Sequence, residues 1–265
     1  MLNILENKVM IHPTAIVHAN ARIAEGVEVG PYAVIGEHVS IGRETKIGSH
    51  VLIEGWTTIG ERNHIFPFSS IGTAPQDIGY RNEETYLIIG DDNVIRECAT
   101  VHRATTKEYR KTIIGNKNFL MAYSHVAHDC KLGNNIIMAN SVALGGHIVI
   151  GDHAIVGGIV AVHQFVRIGP YAIIGGQSAV SLDIPPYVSA AGNRARLYGL
   201  NLVGLKRKGF SEQAISTLKK AYKIIFRSGL TQEAAIQKTL DEFSDSQEVH
   251  VLIDFIRASK RGITR

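Results

Sequence analysis

Cysteine is almost absent from this chain: there are two in 265 residues, Cys98 and Cys130, with no Cys-x-x-Cys spacing. That excludes a disulfide framework and a cysteine-rich zinc module. No apolar run approaches the roughly 18 residues that a membrane-spanning helix needs. The opening Met-Leu-Asn-Ile-Leu-Glu-Asn-Lys lacks a basic stretch followed by an apolar one, so no secretory leader is expected. Neither charge is much in excess. Lys and Arg total 28 against 24 Asp and Glu, net +4, a bias too small to indicate nucleic acid. A Gly-x-Ser-x-Gly element is also missing, which argues against a serine nucleophile. These absences predict a cytoplasmic protein with no membrane span and no nucleic-acid partner.

What the chain has is a six-residue period. An aliphatic residue returns at Ile11, Val17, Ile23, Val29, Ile35, Ile41, Ile47, Ile53, Ile59, Ile65 and Ile71, often followed by Gly as at Gly30, Gly42 and Gly60. A small or β-branched residue stands four places after each, as at Ala33, Val39 and Thr45. The pattern resumes at Ile89, Ile95 and Val101, then runs from Ile114 to Val180. Neither a helix nor a simple strand has this period. Each hexad reads as a short strand and a turn, with its aliphatic and small residues inward and its Gly easing the turn backbone. Three such strands close a triangular coil of about 18 residues, and coils stack at about 4.8 Å, on the order of ten of them in all. The general rule for parallel crossovers predicts right-handed winding. Resemblance to hexapeptide-repeat proteins implies the left-handed form instead.

Two segments, Thr73–Tyr86 and Ala104–Thr112, break the rhythm and read as loops leaving a rigid scaffold. After Ile184-Pro185-Pro186-Tyr187 the period ends. Ser211 then reads as the N-cap of a helix, with Phe210 stapled onto Ile215 and Ser228-Gly229 as the stop. Thr231 caps a second helix to Phe243, and a third is expected from Gln247 to Ala258. The expected fold is mainly β: a left-handed parallel β-helix over residues 1–192, with loops at 73–86 and 104–112, then a small α-helical domain over 193–265. Residues 193–265 carry 14 basic and 7 acidic side chains, net +7, which leaves −3 for the rest. Such a surface suits an acidic partner or simply a solvated helix face.

The scaffold rhythm is interrupted most sharply at Leu120-Met-Ala-Tyr-Ser-His125-Val-Ala-His128-Asp129-Cys-Lys-Leu132. With coils of about 18 residues, His128, Gly146–His147 and His163–Gln164 should lie near one edge over three successive coils. Three chemistries could use that edge. A histidine base oriented by Asp129 could deprotonate an alcohol attacking a thioester, with backbone N–H groups near Gly145–Gly146 stabilising the oxyanion. Histidines from adjacent coils could bind zinc, as in hexapeptide-repeat carbonic anhydrases. Or the histidines could be only a ladder at a trimer seam.

The interruptions, in their order, resemble one family. They are Ile11-His-Pro-Thr-Ala15, Pro75-Gln76-Asp77, Val101-His-Arg103, His125-Val-Ala-His128-Asp129-Cys130, Leu144-Gly-Gly-His147, Ala161-Val-His163-Gln164-Phe165, Asp183-Ile-Pro-Pro-Tyr187, Gly192-Asn193, Asn201 and Gly204-Leu-Lys-Arg207. This order is similar to that of the UDP-N-acetylglucosamine 3-O-acyltransferases, the first enzymes of lipid A biosynthesis. The resemblance implies a homotrimer that transfers an (R)-3-hydroxyacyl chain from acyl carrier protein to UDP-N-acetylglucosamine, without a metal or other cofactor. It implies His128 as general base, Asp129 as its orienting partner and the Gly146 N–H as oxyanion donor. It further implies that Gln76, Asp77, His125, His147, His163 and Gln164 contact substrate, and that Asn201 and Arg207 hold uridine and phosphates. Gly176, at the end of the family's acyl groove, implies a long acyl chain. The sequence departs from the family at Gly79, where a Lys is common, and at Arg194, where His is common in the acyl region. A relative that acylates a 3-amino sugar therefore stays open, as does the zinc reading.

Overall fold

The computed structural model describes residues 9–265. Met1–Lys8, on which the leader expectation rests, lies outside them. Strands of two to four residues repeat along the chain to Val180, and each pairs in parallel with the strand one coil on, as in Glu28↔Lys46 and Val29↔Ile47. With two further strands beyond Pro186 they form sheets of 11, 9 and 8 strands, one for each face of a triangular prism. The prism is a left-handed parallel β-helix closed by a helical domain. From Val29 onward the hexad aliphatics are buried along the axis, as are the small residues four places on. Each buried aliphatic contributes about 1.5–3 kcal/mol, so the repeat itself is the core.

One small-residue column turns polar without losing order. Asn63, Asn93 and Asn118 are buried on successive coils; Asn63 Oδ1 accepts from Asn93 N at 2.9 Å, and Asn93 Oδ1 accepts from Asn118 N at 2.9 Å. Each buried amide is thereby satisfied inside the stack.

The glycines play a different part from the one the sequence suggests. The turn falls two residues later, on residues such as Tyr32, Glu44, His50 and Arg62, whose φ values lie between 54° and 59°. A Cβ on Gly42 would instead lie 2.6 Å from the carbonyl of Gly60 in the next coil. Glycine here lets stacked backbones approach, and the left-handed strain is carried by side-chain-bearing residues.

Ile59 pairs with Ile89, 30 residues away, and Thr100 with His125, 25 away. The two insertions leave the prism as loops. Thr73, Tyr86, Lys111 and Thr112 are themselves strand residues, so both loops are narrower than the pattern predicts. Beyond Pro186 the chain forms a hairpin, Val188–Ala191 antiparallel to Arg196–Leu200, which the sequence did not signal. Four helices follow: α1 (Leu202–Arg207), α2 (Glu212–Arg227), α3 (Gln232–Phe243) and α4 (Gln247–Arg257). Ser211, Thr231 and Ser246 cap the last three through side-chain oxygens. Leu205, Ile215, Leu218, Ile236, Val249 and Leu252 form their common core, onto which Phe210 packs.

Candidate active site

Asp129 occupies a corner of the prism with φ 61°, and its side chain is buried beneath the loop that precedes Lys111. Its Oδ2 accepts from Thr105 N at 3.1 Å and from Thr105 Oγ1 at 2.7 Å, and lies 2.8 Å from His128 Nδ1. Burial alone would raise this carboxyl, but the hydrogen bonds from His128 and Thr105 outweigh it and hold it below the usual carboxylate range. An ionised carboxylate only accepts, so Nδ1 of His128 carries the proton and Nε2 presents its lone pair. On the next coil stands Gly146, where a Cβ would lie 2.5 Å from His128 Cε1 and 2.9 Å from Nε2. Only a glycine leaves the imidazole in place. Gly145 N and His147 N are bonded to neighbouring coils, whereas Gly146 N has no hydrogen-bond acceptor among the described residues.

His147 occupies the corner above Asp129, with φ 62°. Its ring stands edge-on to His128 at 5.2 Å between centroids and stacks on Phe165 at 4.4 Å. Its Nδ1 is 3.4 Å from Glu108 Oε1, and its Nε2 is 3.8 Å from Asp129 Oδ2. His125 binds Thr100 Oγ1 through Nδ1 at 2.7 Å and stands edge-on to His102 at 5.0 Å. Burial lowers both of these histidines, reinforced by nearby imidazoles, and His102 is pushed down to about 4. Both rings are neutral near pH 7.

Asp77 sits in the first loop and is ion-paired with Lys107 of the second, so the two loops are joined beside His128. The Lys107 hydrogen bond holds the Asp77 carboxyl below its ordinary range. Gln76 and Gly79 are exposed, and Ile78 is 98% exposed. His163 and Arg194 line a separate groove with Ala161, Val180 and Leu182. Gln164 is exposed one coil beyond Gly146, and Gly176 lies against Gly158, whose oxygen would be 3.2 Å from an added Cβ. Arg207 is exposed in the last turn of α1. Asn201 is buried: its Oδ1 accepts from Gly204 N, capping α1, and its Nδ2 donates to Tyr171 O. The side chain expected to meet uridine is engaged inside the chain, where it fixes the helix that carries Arg207.

The fold thus unites His128, Asp129, Gly146 and His147, while His163 takes partners of its own. The true stacks are His128–Gly146–Gln164 and Asp129–His147–Phe165. Thr105, Lys107 and Phe165 belong to the site and were missed. Thr105 and Lys107 lie in a loop with no periodicity to assign them, whereas Phe165 was recoverable by counting 18 residues on from His147.

His128, Asp129 and His147 are the one group among the described residues with three candidate metal-ligand atoms, all within 4.8 Å of one another. Tetrahedral zinc at about 2.0–2.1 Å from each ligand separates them by about 3.3 Å. The 2.8 Å contact between His128 Nδ1 and Asp129 Oδ2 is a hydrogen bond with no room for an ion, and Thr105 saturates the same oxygen. These two atoms are arranged as an imidazole and the carboxylate that accepts from it.

A family model described as Udp N-acetylglucosamine O-acyltransferase, domain 2, matches residues 183–264, and one for the bacterial transferase hexapeptide matches 20–55 and 111–146. The chain is 58% identical over 258 residues to the acyl-carrier-protein–UDP-N-acetylglucosamine O-acyltransferase of Trichlorobacter lovleyi, covering 96% of this chain and 99% of that one. It is 53% identical over 255 residues to the enzyme of the same name from Thermodesulfovibrio yellowstonii, again covering 96% and 99%. Among solved structures, the UDP-N-acetylglucosamine O-acyltransferase of Moraxella catarrhalis matches with a TM-score of 0.94 at 46% identity, over 96% of this chain and 99% of that one. The Francisella novicida acyltransferase matches with a TM-score of 0.94 at 40% identity, over 97% and 94%.

Proposed function

This chain belongs to the UDP-N-acetylglucosamine O-acyltransferase family, the acyltransferases of the first step of lipid A biosynthesis, and on that premise we propose how its residues divide the work. The acyl donor is an (R)-3-hydroxyacyl thioester of acyl carrier protein, and the acceptor is the glucosamine 3-hydroxyl of UDP-N-acetylglucosamine. His128 Nε2 takes the hydroxyl proton as the oxygen attacks the thioester carbonyl. The tetrahedral oxyanion forms against the Gly146 N–H. Its collapse breaks the C–S bond, and the imidazolium returns the proton to the departing thiolate. Asp129 holds the tautomer and balances the transient positive charge. The observation that carries this reading is the bonded pair His128–Asp129 with Gly146 flush against the imidazole.

His125, His147, Asp77, Gln76, His163 and Gln164 are assigned to substrate contact. Arg207, whose planar fork suits a pyrophosphate, is assigned to the nucleotide. Gly176 and Arg194 bound the acyl region, and Gly176 leaves space for a long chain; a competition among donors won by short chains would overturn that. The exposed Lys206, Arg207, Lys208, Lys219, Lys220 and Lys223 give the helical domain, taken as residues 193–265, a surface for acidic acyl carrier protein. The active assembly is a homotrimer. In its support, one prism corner exposes Tyr32, His50 and Phe68 stacked at 5.0 and 4.9 Å, and continues through exposed Tyr123 and Ile159. No helix among the described residues is long and apolar enough to cross a membrane. The unpaired Cys98 and Cys130 suit the reducing cytoplasm.

Neither a 3-amino acceptor nor zinc hydration gains an observation: the relatives are named O-acyltransferases, and His128 Nδ1 bonds Asp129 Oδ2 directly. Replacing His128 with Ala should lower turnover about 10²–10⁴-fold, the range a general base supplies, with the assembly size unchanged. Near-normal turnover, measured by mass detection of the acylated UDP-sugar, overturns the assignment.

A further inference from the structure

The segment after α4 returns to the prism and is bound there along its length. Asp183, buried, receives Ser259 Oγ on Oδ2 at 2.7 Å, donates its own N–H to Gly262 O at 2.9 Å, and accepts Thr264 N at 2.9 Å through its backbone oxygen. Arg261 lies at the centre of this strap. Its Nε donates to Ser181 O at 2.7 Å, and its Nη2 is 2.8 Å from His163 Nδ1. The strap holds the guanidinium on one side of the groove that His163 and Arg194 line.

A guanidinium has only donors. A contact at 2.8 Å therefore requires the lone pair on His163 Nδ1, so the ring proton must be on Nε2. A rival arrangement exists, because Nδ1 is also 3.2 Å from Gln164 O, which could accept a proton from it. The shorter, charge-assisted contact is the stronger one. Without Arg261, the balance passes to the Gln164 arrangement, in which Nε2 is the acceptor.

We propose that Arg261 is a positioning residue that fixes the tautomer of His163, so that His163 offers a neutral Nε2–H to an acceptor oxygen of the substrate. His163 is thereby the inverse of His128. Asp129 accepts from Nδ1 of His128 and leaves Nε2 as a base, whereas Arg261 donates to Nδ1 of His163 and leaves Nε2 as a donor. Two imidazoles of the same chain are given opposite roles by what stands behind them, and the second depends on a strap more than 90 residues away in sequence. The proposal rests on the acyltransferase reading only for what the donor binds; the tautomer itself stands or falls without turnover.

The test uses the full chain with ¹⁵N-labelled histidine, assigning the His163 ring by its loss in His163→Gln. Long-range proton–nitrogen correlations near neutral pH should show an unprotonated Nδ1 and a protonated Nε2. In Arg261→Met the proton should move to Nδ1 or become shared between the two nitrogens. Arg261→Lys, which keeps a cationic donor, should restore most of the parent pattern. Ser259→Ala, which removes the strap's side-chain bond to Asp183 but keeps Arg261, should retain the parent tautomer. In kinetics, Arg261→Met should lower kcat/KM about tenfold, the size of one ordinary hydrogen bond. Nδ1 protonated in the parent, or a ring pattern unchanged in Arg261→Met, overturns the proposal. An Nε2–H tautomer in a protein that transfers no acyl group would instead overturn the acyltransferase reading and leave the Arg261 assignment standing.

Discussion

Replacing Asp129 with Asn separates charge from geometry in this site. Thr105 aims two donors at one carboxylate oxygen, at 3.1 and 2.7 Å. An Asn amide turned with its nitrogen toward them would meet the Thr105 backbone N–H donor against donor and would forfeit the hydrogen bond that the hydroxyl donates. Thr105 therefore keeps the Asn oxygen where Oδ2 stood, and that oxygen still accepts from His128 Nδ1. The tautomer survives and only the negative charge is lost. Two unit charges about 4 Å apart at an effective dielectric of about 20 interact by ~4 kcal/mol, and this is the stabilisation removed from the imidazolium. It corresponds to a fall in kcat of roughly 10³-fold. The assay is steady-state release of carrier-protein thiol at saturating UDP-N-acetylglucosamine. In the double variant Thr105→Val with Asp129→Asn, the backbone N–H alone opposes amide rotation, so some molecules adopt the wrong tautomer and kcat falls further. An Asp129→Asn variant within about tenfold of the parent would refute the electrostatic argument, and a double variant no worse than the single would refute the role given to Thr105.

Gly146→Ala should abolish most activity while leaving the melting temperature nearly unchanged, because its Cβ would meet the His128 ring rather than core backbone; retained turnover would contradict the packing. Gly42→Ala should behave oppositely: its Cβ would abut the next coil's backbone at 2.6 Å, so denaturant titration should show a loss of about 1–3 kcal/mol. His102 is neutral down to about pH 4 when folded but protonates near 6.5 when unfolded, so the unfolded chain binds more protons between these values. Stability should therefore fall as pH drops through that window, by at most about 3 kcal/mol from this residue, and His102→Gln should flatten the dependence of the denaturation midpoint on pH.

The six-residue period by itself determined the prism, because each aliphatic at that spacing can be buried only if the chain turns after every short strand. Local signals also determined three helices and the caps of two, where Ser211 and Thr231 act on the backbone three residues on. His128 beside Asp129 was legible for the same reason: neighbours in sequence remain neighbours in space. The function of the glycines was not legible, since a turn and a close backbone approach both call for the same residue. Only the tertiary structure decided which residues stand behind the histidines. Thr105 reaches Asp129 from a loop without periodicity, and Asn201 turns inward because α1 needs a cap. Arg261 reaches His163 because buried Asp183 binds the returning strap. The contacts of Thr105 with Asp129 and of Arg261 with His163 span 24 and 98 residues, and no local pattern of residues encodes such a bond.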